Sequence, residues 1–266
     1  MAHVAPLRPA IADLVEAWRR RHLWMALGTF DIKHRYKRSI IGPFWMTLNL
    51  AALILGIGLI YGSVLNAIHS SYIPYLAVGI VLWTFISGTL IEGASVFIFE
   101  ASLLKGTTLS KIAYVFRSVW RNLWILAHNL LILLPIFLFY RVYPGIGGML
   151  IAAAGLVLII LLLAASSLLL AVLGARFRDV PPAVTALMQP IFFATPIIWE
   201  AETLHEHRWI MDYNPMYHVI ETVRAPLLGQ TVPLTSFAVT AGMTAIVALL
   251  GIGVYAKARR KLVFWL

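Results

Sequence analysis

The sequence predicts an all-α polytopic membrane protein, with six transmembrane helices, an N-terminal amphipathic interface helix and re-entrant helices between spans five and six. Three observations carry that prediction. Hydrophobic residues make up 61% of the 266-residue chain and charged residues only 12%, about half the share usual in soluble domains. Long apolar runs recur, and the longest uncharged one, Val142 to Ala175, exceeds the roughly 20 residues that cross a bilayer core. Those runs lack the period-two alternation of a barrel strand, so backbone groups are satisfied within helices.

The first element precedes the membrane. Ile11, Leu14, Val15, Trp18, Leu23, Trp24, Leu27 and Phe30 recur at roughly helical spacing among Arg19, Arg20, Arg21, Lys33 and Arg38, the pattern of an amphipathic helix on a membrane face. Two readings of it stay open, a lipid anchor and a lever that also touches a partner. Residues 1–41 form this interface region. Met1 to Ala10 holds no apolar core of signal-peptide type, so the first span is expected to act as its own anchor.

Spans follow at about 42–65, 73–98, 119–140, 146–174, 183–199 and 234–256, together a 42–256 transmembrane domain with a 257–266 tail. With six spans both termini share a side. If that side is the cytoplasm, all 21 Lys and Arg except Arg141, Arg208 and Arg224 lie inside, which orients the chain N-in and C-in. The formal charge of +10 is thus read as topology; the basic residues form no nucleic-acid groove.

Two loops are unlike plain connectors. Between spans two and three, Leu103, Leu104, Leu109, Ile112, Val115 and Phe116 mix with Lys105, Lys111 and Arg117, and the break at Gly106-Thr107-Thr108 followed by helical spacing predicts a short helix parallel to the membrane. So much apolar surface invites docking by another protein. Between spans five and six, residues 200–233 carry Trp209, Met211, Tyr213, Met216, Tyr217, Val219, Ile220 and Val223, with Pro215 opening a helix after Asn214. Apolar residues at that density predict either a hairpin that dips back into the outer leaflet or a surface-lying helix pair; irregular backbone at depth needs protein or a wet cavity around it.

Several function classes lose support. No Gly-x-x-x-x-Gly-Lys-Ser/Thr is present and no soluble stretch is large enough for a nucleotide-binding domain. With no cysteine, disulfides, thiolate metal sites and a cysteine nucleophile are excluded. His205-Glu206-His207 brings its imidazoles together only if extended, which makes it a poor metal set. Glu92 is the one acid well inside a span and must face protein, face water or be protonated, with His128 and Asn129 as partners at similar depth. Trp45, Trp83, Phe85, Phe192, Phe193, Trp199, Tyr213 and Tyr217 include aromatics within spans one, two and five, where ring faces can stack on the C–H surfaces of sugars as well as pack.

Arg35-Tyr36-Lys37-Arg38-Ser39-Ile40-Ile41-Gly42-Pro43-Phe44-Trp45, then Ala175-Arg176-Phe177-Arg178-Asp179-Val180, then Asn214-Pro215-Met216-Tyr217, in this order over six spans, resemble the permease subunits of type-2 ABC exporters of O-antigen, capsule and teichoic-acid polymers. The resemblance covers nearly the whole chain. It implies a homodimer in the bacterial inner membrane, a separate cytoplasmic ATPase subunit bound to each copy, and outward movement of a lipid-linked polysaccharide. This chain then needs no cofactor of its own; ATP and Mg belong to the partner.

By the same resemblance, spans one and five line the channel, and residues 200–233 form its exit gate. Leu103, Leu104, Lys105, Leu109, Lys111 and Phe116 transmit the ATPase stroke. Arg35, Tyr36, Arg38, Gly42 and Pro43 shape an entrance where a lipid pyrophosphate or anionic headgroups are met. The alternatives are an exporter of a small drug or lipid, with a lateral opening, and an integral-membrane enzyme acting on lipid-linked sugars. The enzyme would need acids or histidines converging at one membrane surface, and the sequence assembles none.

Overall fold

A computed structural model describes residues 7–42, 44–64, 72–200, 209–231 and 234–266. Thirteen helices and no strand occur among the described residues. They are α1 (Leu7–Arg19), α2 (Arg21–Arg35), α3 (Phe44–Val64), α4 (Tyr72–Phe99), α5 (Ala101–Gly106), α6 (Lys111–Leu130), α7 (Leu133–Tyr140), α8 (Ile146–Arg176), α9 (Val180–Ala194), α10 (Trp209–Asp212), α11 (Pro215–Leu227), α12 (Leu234–Ala258) and α13 (Leu262–Trp265).

Four stretches are long and apolar enough to cross a membrane: α4, α6 running on through α7, α8 and α12. Two shorter apolar helices, Phe44–Ile60 within α3 and α9, accompany them. Apolar helices lie at each expected position, but the 119–140 stretch is broken between α6 and α7, and α9 stops at Ala194 instead of reaching residue 199. Pro196 disfavours helical backbone at the residue before it and has no N–H of its own to give. Fifteen residues rise only about 22 Å, less than a hydrocarbon core of ~30 Å, so α9 does not span such a core as a helix by itself.

α4 is the axis of the bundle, with 78% of its most apolar stretch buried against 11% for α12. It packs on α3, α6, α8 and α9 along its length. Two cores result. One gathers Leu76, Ile80, Phe85, Ile159, Ile197 and Ile220 from α4, α8, α11 and the turn after α9. The other gathers Trp24, Phe97, Ile112, Val172, Tyr255 and Leu262 at the end of the bundle where the N- and C-terminal helices meet, hereafter the termini end.

Two local expectations are revised. The N-terminal amphipathic segment is two helices with a break at Arg20, and α2 runs in step along α6. Trp24 meets Phe116 and Trp120, and Thr29 accepts from the indole N–H groups of both Trp120 (3.0 Å) and Trp124 (3.3 Å). Gly28 allows this approach, since a Cβ there would stand 2.9 Å from Trp120 and 3.1 Å from the Arg117 carbonyl oxygen. In the 101–118 loop the short helix precedes the Gly106-Thr107-Thr108 break, and the residues after it continue into α6 as one helix. Apolar periodicity marks the segment as helical without saying which side of a break stands alone.

Candidate functional site

The termini end is held by two charged clusters. In the larger, Asp31 of α2 accepts from Arg117 Nε (2.8 Å) and Nη2 (2.7 Å) and from Arg121 Nη1 (2.8 Å). Arg117 also donates to Glu100 (3.0 Å), Arg121 pairs closely with Glu92, and Asn122 donates to Glu92 (2.8 Å). Three carboxylates and two guanidiniums thus join α2, α4 and α6, and their side chains keep 10–23% exposure. Burial raises the pKa of the Asp31 carboxyl, but hydrogen bonds from Arg117 and Arg121 more than offset this and hold it below its ordinary value. The Glu92 partners are therefore Arg121 and Asn122, not His128 and Asn129. His128 instead shares its Nδ1 hydrogen with the Trp124 carbonyl (2.7 Å), and Asn129 is buried.

The second cluster ties the chain's two ends to the loop before α6. Asp13 accepts from Arg259 Nη2 (2.7 Å) and the Tyr255 hydroxyl (2.7 Å), Ser110 donates to the Asp13 carbonyl (2.8 Å), and Lys111 donates to the Arg259 carbonyl (2.7 Å). Here too burial raises the Asp13 pKa while the Arg259 and Tyr255 hydrogen bonds lower it further, leaving it depressed. Leu104 is buried under this knot, Leu109, Lys111 and Phe116 are half-buried, and Leu103 and Lys105 are exposed. A cleft of about 320 Å³ opens between Asp13, Glu16, Leu109, Arg259 and Val263. The Arg176 guanidinium sits 5.1 Å from the Trp265 ring and 5.8 Å from that of Phe177, so the turn between α8 and α9 is docked on α13.

The opposite end is built around a non-helical turn. Thr195 to Ile198 are buried, and the Pro196 and Ile198 carbonyls are satisfied by side chains from elsewhere. Tyr75 donates to the Pro196 carbonyl (2.9 Å), Tyr72 to that of Ile198 (2.8 Å), and Arg224 Nη1 to that of Pro196 (2.7 Å). Arg224 is fully buried, pairs with Glu221 one turn earlier in α11 and lies 3.8 Å from the Tyr75 ring centre. Asn214 caps α11 by accepting from Met216 N (3.0 Å) and Tyr217 N (3.3 Å), and donates to the Ala194 carbonyl (3.0 Å). The Asn-Pro motif thus fastens the start of α11 to the end of α9. α11 then packs on α8, α12 and α4; a Cβ at Gly155 of α8 would collide with the Thr222 carbonyl oxygen.

The aromatic candidates divide. Trp83 and Phe85 are buried on α4, and the Trp83 ring lies 5.6 Å from Phe192, which touches Phe193 at 5.4 Å. Trp45, Phe193 and Tyr213 are exposed, while Trp199 and Tyr217 are half-buried; Trp199 Nε1 donates to the Phe193 carbonyl (3.2 Å). Of the entrance set, Arg35 and Arg38 are exposed, Tyr36 is half-buried, and Gly42 turns the chain with φ +57°, its N–H donating to Ser39 Oγ (3.0 Å). Pro43 lies outside the described residues, as do His205-Glu206-His207 and Pro233.

A bundle with four helical stretches of membrane length invites comparison with known membrane families. The family model described as ABC-2 type transporter matches residues 22–228. The chain belongs to that family. This ABC-2 member is an integral membrane protein and a type-2 ABC transport permease. It is similar to the O-antigen export system permease protein RfbA of Klebsiella pneumoniae, 21% identical over 240 residues that cover 88% of this chain and 91% of the relative. A second K. pneumoniae protein of that name is 21% identical over 74% of the chain and 77% of its own length. One from Myxococcus xanthus is 23% identical over 82% and 85%.

Asp31 and Arg121 entered the sequence reading only as chain charge, Arg117 as a basic residue of the loop between spans two and three, and Arg224 as an outside charge. The signal for Arg224 was its spacing from Glu221, three residues apart in an otherwise apolar helix, which puts both on one face. Nothing comparable marks the Asp31 cluster, whose members come from three helices.

Proposed function

We propose that this permease is the transmembrane half of an ATP-driven exporter that moves a lipid-linked, O-antigen-like polysaccharide from the cytoplasmic to the outer side of the bacterial inner membrane. Two copies form the pathway, and a separate ATPase subunit docks on each at the termini end, which is the cytoplasmic end in this reading. The curated relatives of that name, aligned over most of their length, favour this cargo over a small drug. The single structural observation that carries the reading is α9. It is apolar, holds Pro190 inside, and buries none of its residues within the subunit, so a second copy is the fitting cover. α3 flanks the same central α4 and leaves Trp45, Leu48, Leu55 and Leu59 exposed.

In this reading α9 and the turn at 195–198 complete the fifth crossing, and α11 is the re-entrant element. Its contact with Gly155, nine residues into α8, puts Thr222 about 14 Å along that helix by a rise of 1.5 Å per residue. Trp45, Phe192, Phe193 and Trp199 offer ring faces to a sliding glycan, with Tyr213 and Tyr217 at the gate. Leu103, Lys105 and the cleft beside Leu109 receive the ATPase, and the Asp31 cluster carries its movement through α2 to α6 and α4. ATP and Mg act in the partner.

The test is purification of the chain with whatever it holds. A stoichiometric P-loop subunit, and ATPase activity stimulated by lipid-linked glycan, are the expected results. Because the chain has no cysteine, single cysteines on α9 report the second copy directly: disulfides across the dimer are expected from Phe193→Cys and from no site on buried α4. A lone protein without ATPase after gentle extraction contradicts the proposal.

A further inference from the structure

A cavity of about 300 Å³ lies where α2, the turn into α3 and α6 meet, lined by Ile32, Lys33, Tyr36, Gly42, Trp124 and His128. Its walls are mostly apolar, and its size is at the lower end of ligand cavities, roughly 300–1,000 Å³. Lys33 is the lysine or arginine on its rim among the described residues.

The buried and half-buried arginines among the described residues are spent on carboxylates: Arg117 and Arg121 on Asp31, Glu92 and Glu100, Arg224 on Glu221, Arg259 on Asp13. Beside the cavity the balance is reversed. Lys33, Arg35, Lys37 and Arg38 have no carboxylate partner among the described residues, and the acid nearest in sequence, Asp31, is already taken by Arg117 and Arg121. Four uncompensated charges in six residues, next to an apolar hollow and the exposed side chains of Ile40, Phe44 and Trp45, call for a ligand with an anionic head and an apolar tail.

The position in the bundle selects the source of that ligand. α3 packs on α4 and α6, whereas α9 packs on α4 and α8. The cavity therefore lies on the α6 flank of α3, away from α9 and the aromatic pair of Trp83 and Phe192. A molecule there faces the bilayer and not the proposed pathway.

We propose that this cavity is a binding site for a resident anionic phospholipid of the leaflet at the termini end. The phosphate sits against Lys33 with Tyr36 beside it, and one acyl chain lies along Ile32 and Trp124. The lipid fills the joint between the interface helix and the first span, so that occupancy holds α2 on α6 at the place where Thr29 bonds Trp120 and Trp124. The choice of a resident phospholipid rests on the pathway proposed above, whereas the cavity and the cations beside it do not depend on the identity of the cargo.

The experiment is native mass spectrometry of the delipidated full chain, with its co-purifying subunits, titrated with phosphatidylglycerol, phosphatidylcholine or undecaprenyl phosphate. Photoreactive phosphatidylglycerol maps the site in parallel. Phosphatidylglycerol should bind with labelling on α2 and α6, and Lys33→Gln should weaken it about tenfold, the loss of one charge-assisted contact. Lys33 is exposed and in no ion pair among the described residues, so the variant should fold, and its melting temperature verifies that. Lys37→Gln, off the cavity, should change binding less than about twofold. Three results overturn the proposal: equal binding by Lys33→Gln, equal binding of phosphatidylcholine, or displacement of phosphatidylglycerol by equimolar undecaprenyl phosphate, which would give the site to the cargo's carrier.

Discussion

The two ends of the bundle both bury guanidinium groups, and they do so in opposite ways. At the far end Arg224 is wholly enclosed, paired within its own helix and packed on the Tyr75 ring, with Nη1 donating to the Pro196 carbonyl. At the termini end Arg117 and Arg121 share three carboxylates from α2 and α4, in a cluster that keeps contact with solvent. A dry pair cannot separate without leaving a charge in a low-dielectric interior, so it fixes its neighbours. A wet cluster with more carboxylates than guanidiniums can exchange partners while water covers the difference. The first suits a rigid frame around an irregular turn, and the second suits a joint through which a stroke passes.

Breaking the dry pair should have the largest effect. Arg224→Leu leaves Glu221 without its cation and the Pro196 carbonyl with Tyr75 as its one remaining side-chain donor among the described residues, and should cost about 3–5 kcal/mol, read as a collapse of the melting temperature in detergent. Adding Glu221→Leu should recover much of that loss, because the penalty lies mostly in the orphaned charge. Next is Gly155→Leu, which drives a side chain into the Thr222 backbone and should cost about 1–3 kcal/mol by the same assay, while α2 stays in place.

The wet cluster should yield smaller changes in stability and larger ones in coupling. Asp31→Asn should lower stability by only about 1–2 kcal/mol, since water reaches the freed guanidiniums, yet hydrogen exchange in residues 21–35 should rise. Its pH dependence has a definite sign. The folded carboxyl titrates below its ordinary value of 3.8, so its contribution is complete above that value and is lost as pH falls through the lower, folded one. α2 should stay docked from about pH 8 to 5 and loosen only below ~4. The smallest structural effect is expected at Phe193→Ala, within about 0.5 kcal/mol of the parent as for other exposed positions, with glycan-stimulated ATPase falling nonetheless.

Much of the helical inventory was legible in the sequence, because apolar runs of membrane length leave the backbone few other options. The expected span at 73–98 is one residue shorter than α4 at each end, and that at 146–174 starts with α8 and stops two residues before its end. Side-chain partners were less legible. Glu92 was matched to His128 and Asn129 by apparent depth, but the register of α4 against α6 brings Arg121 and Asn122 to it instead, and register is a property of packing. Arg224 was counted by its sign, and its burial depends on Tyr75 and Pro196, which lie far off in the chain. Asn214-Pro215 was recognisable as a helix start, yet its bond to the Ala194 carbonyl becomes visible only once α9 and α11 are side by side.

The central claim is tested most directly by transport. Proteoliposomes holding this chain with its ATPase subunit, loaded with a lipid-linked glycan exposed on the ATPase side, should move the glycan to the opposite face only with ATP and Mg, and the Asp31→Asn variant should hydrolyse ATP with little transfer. Glycan that stays on its original face while ATP is consumed, or that crosses equally without ATP, contradicts the account.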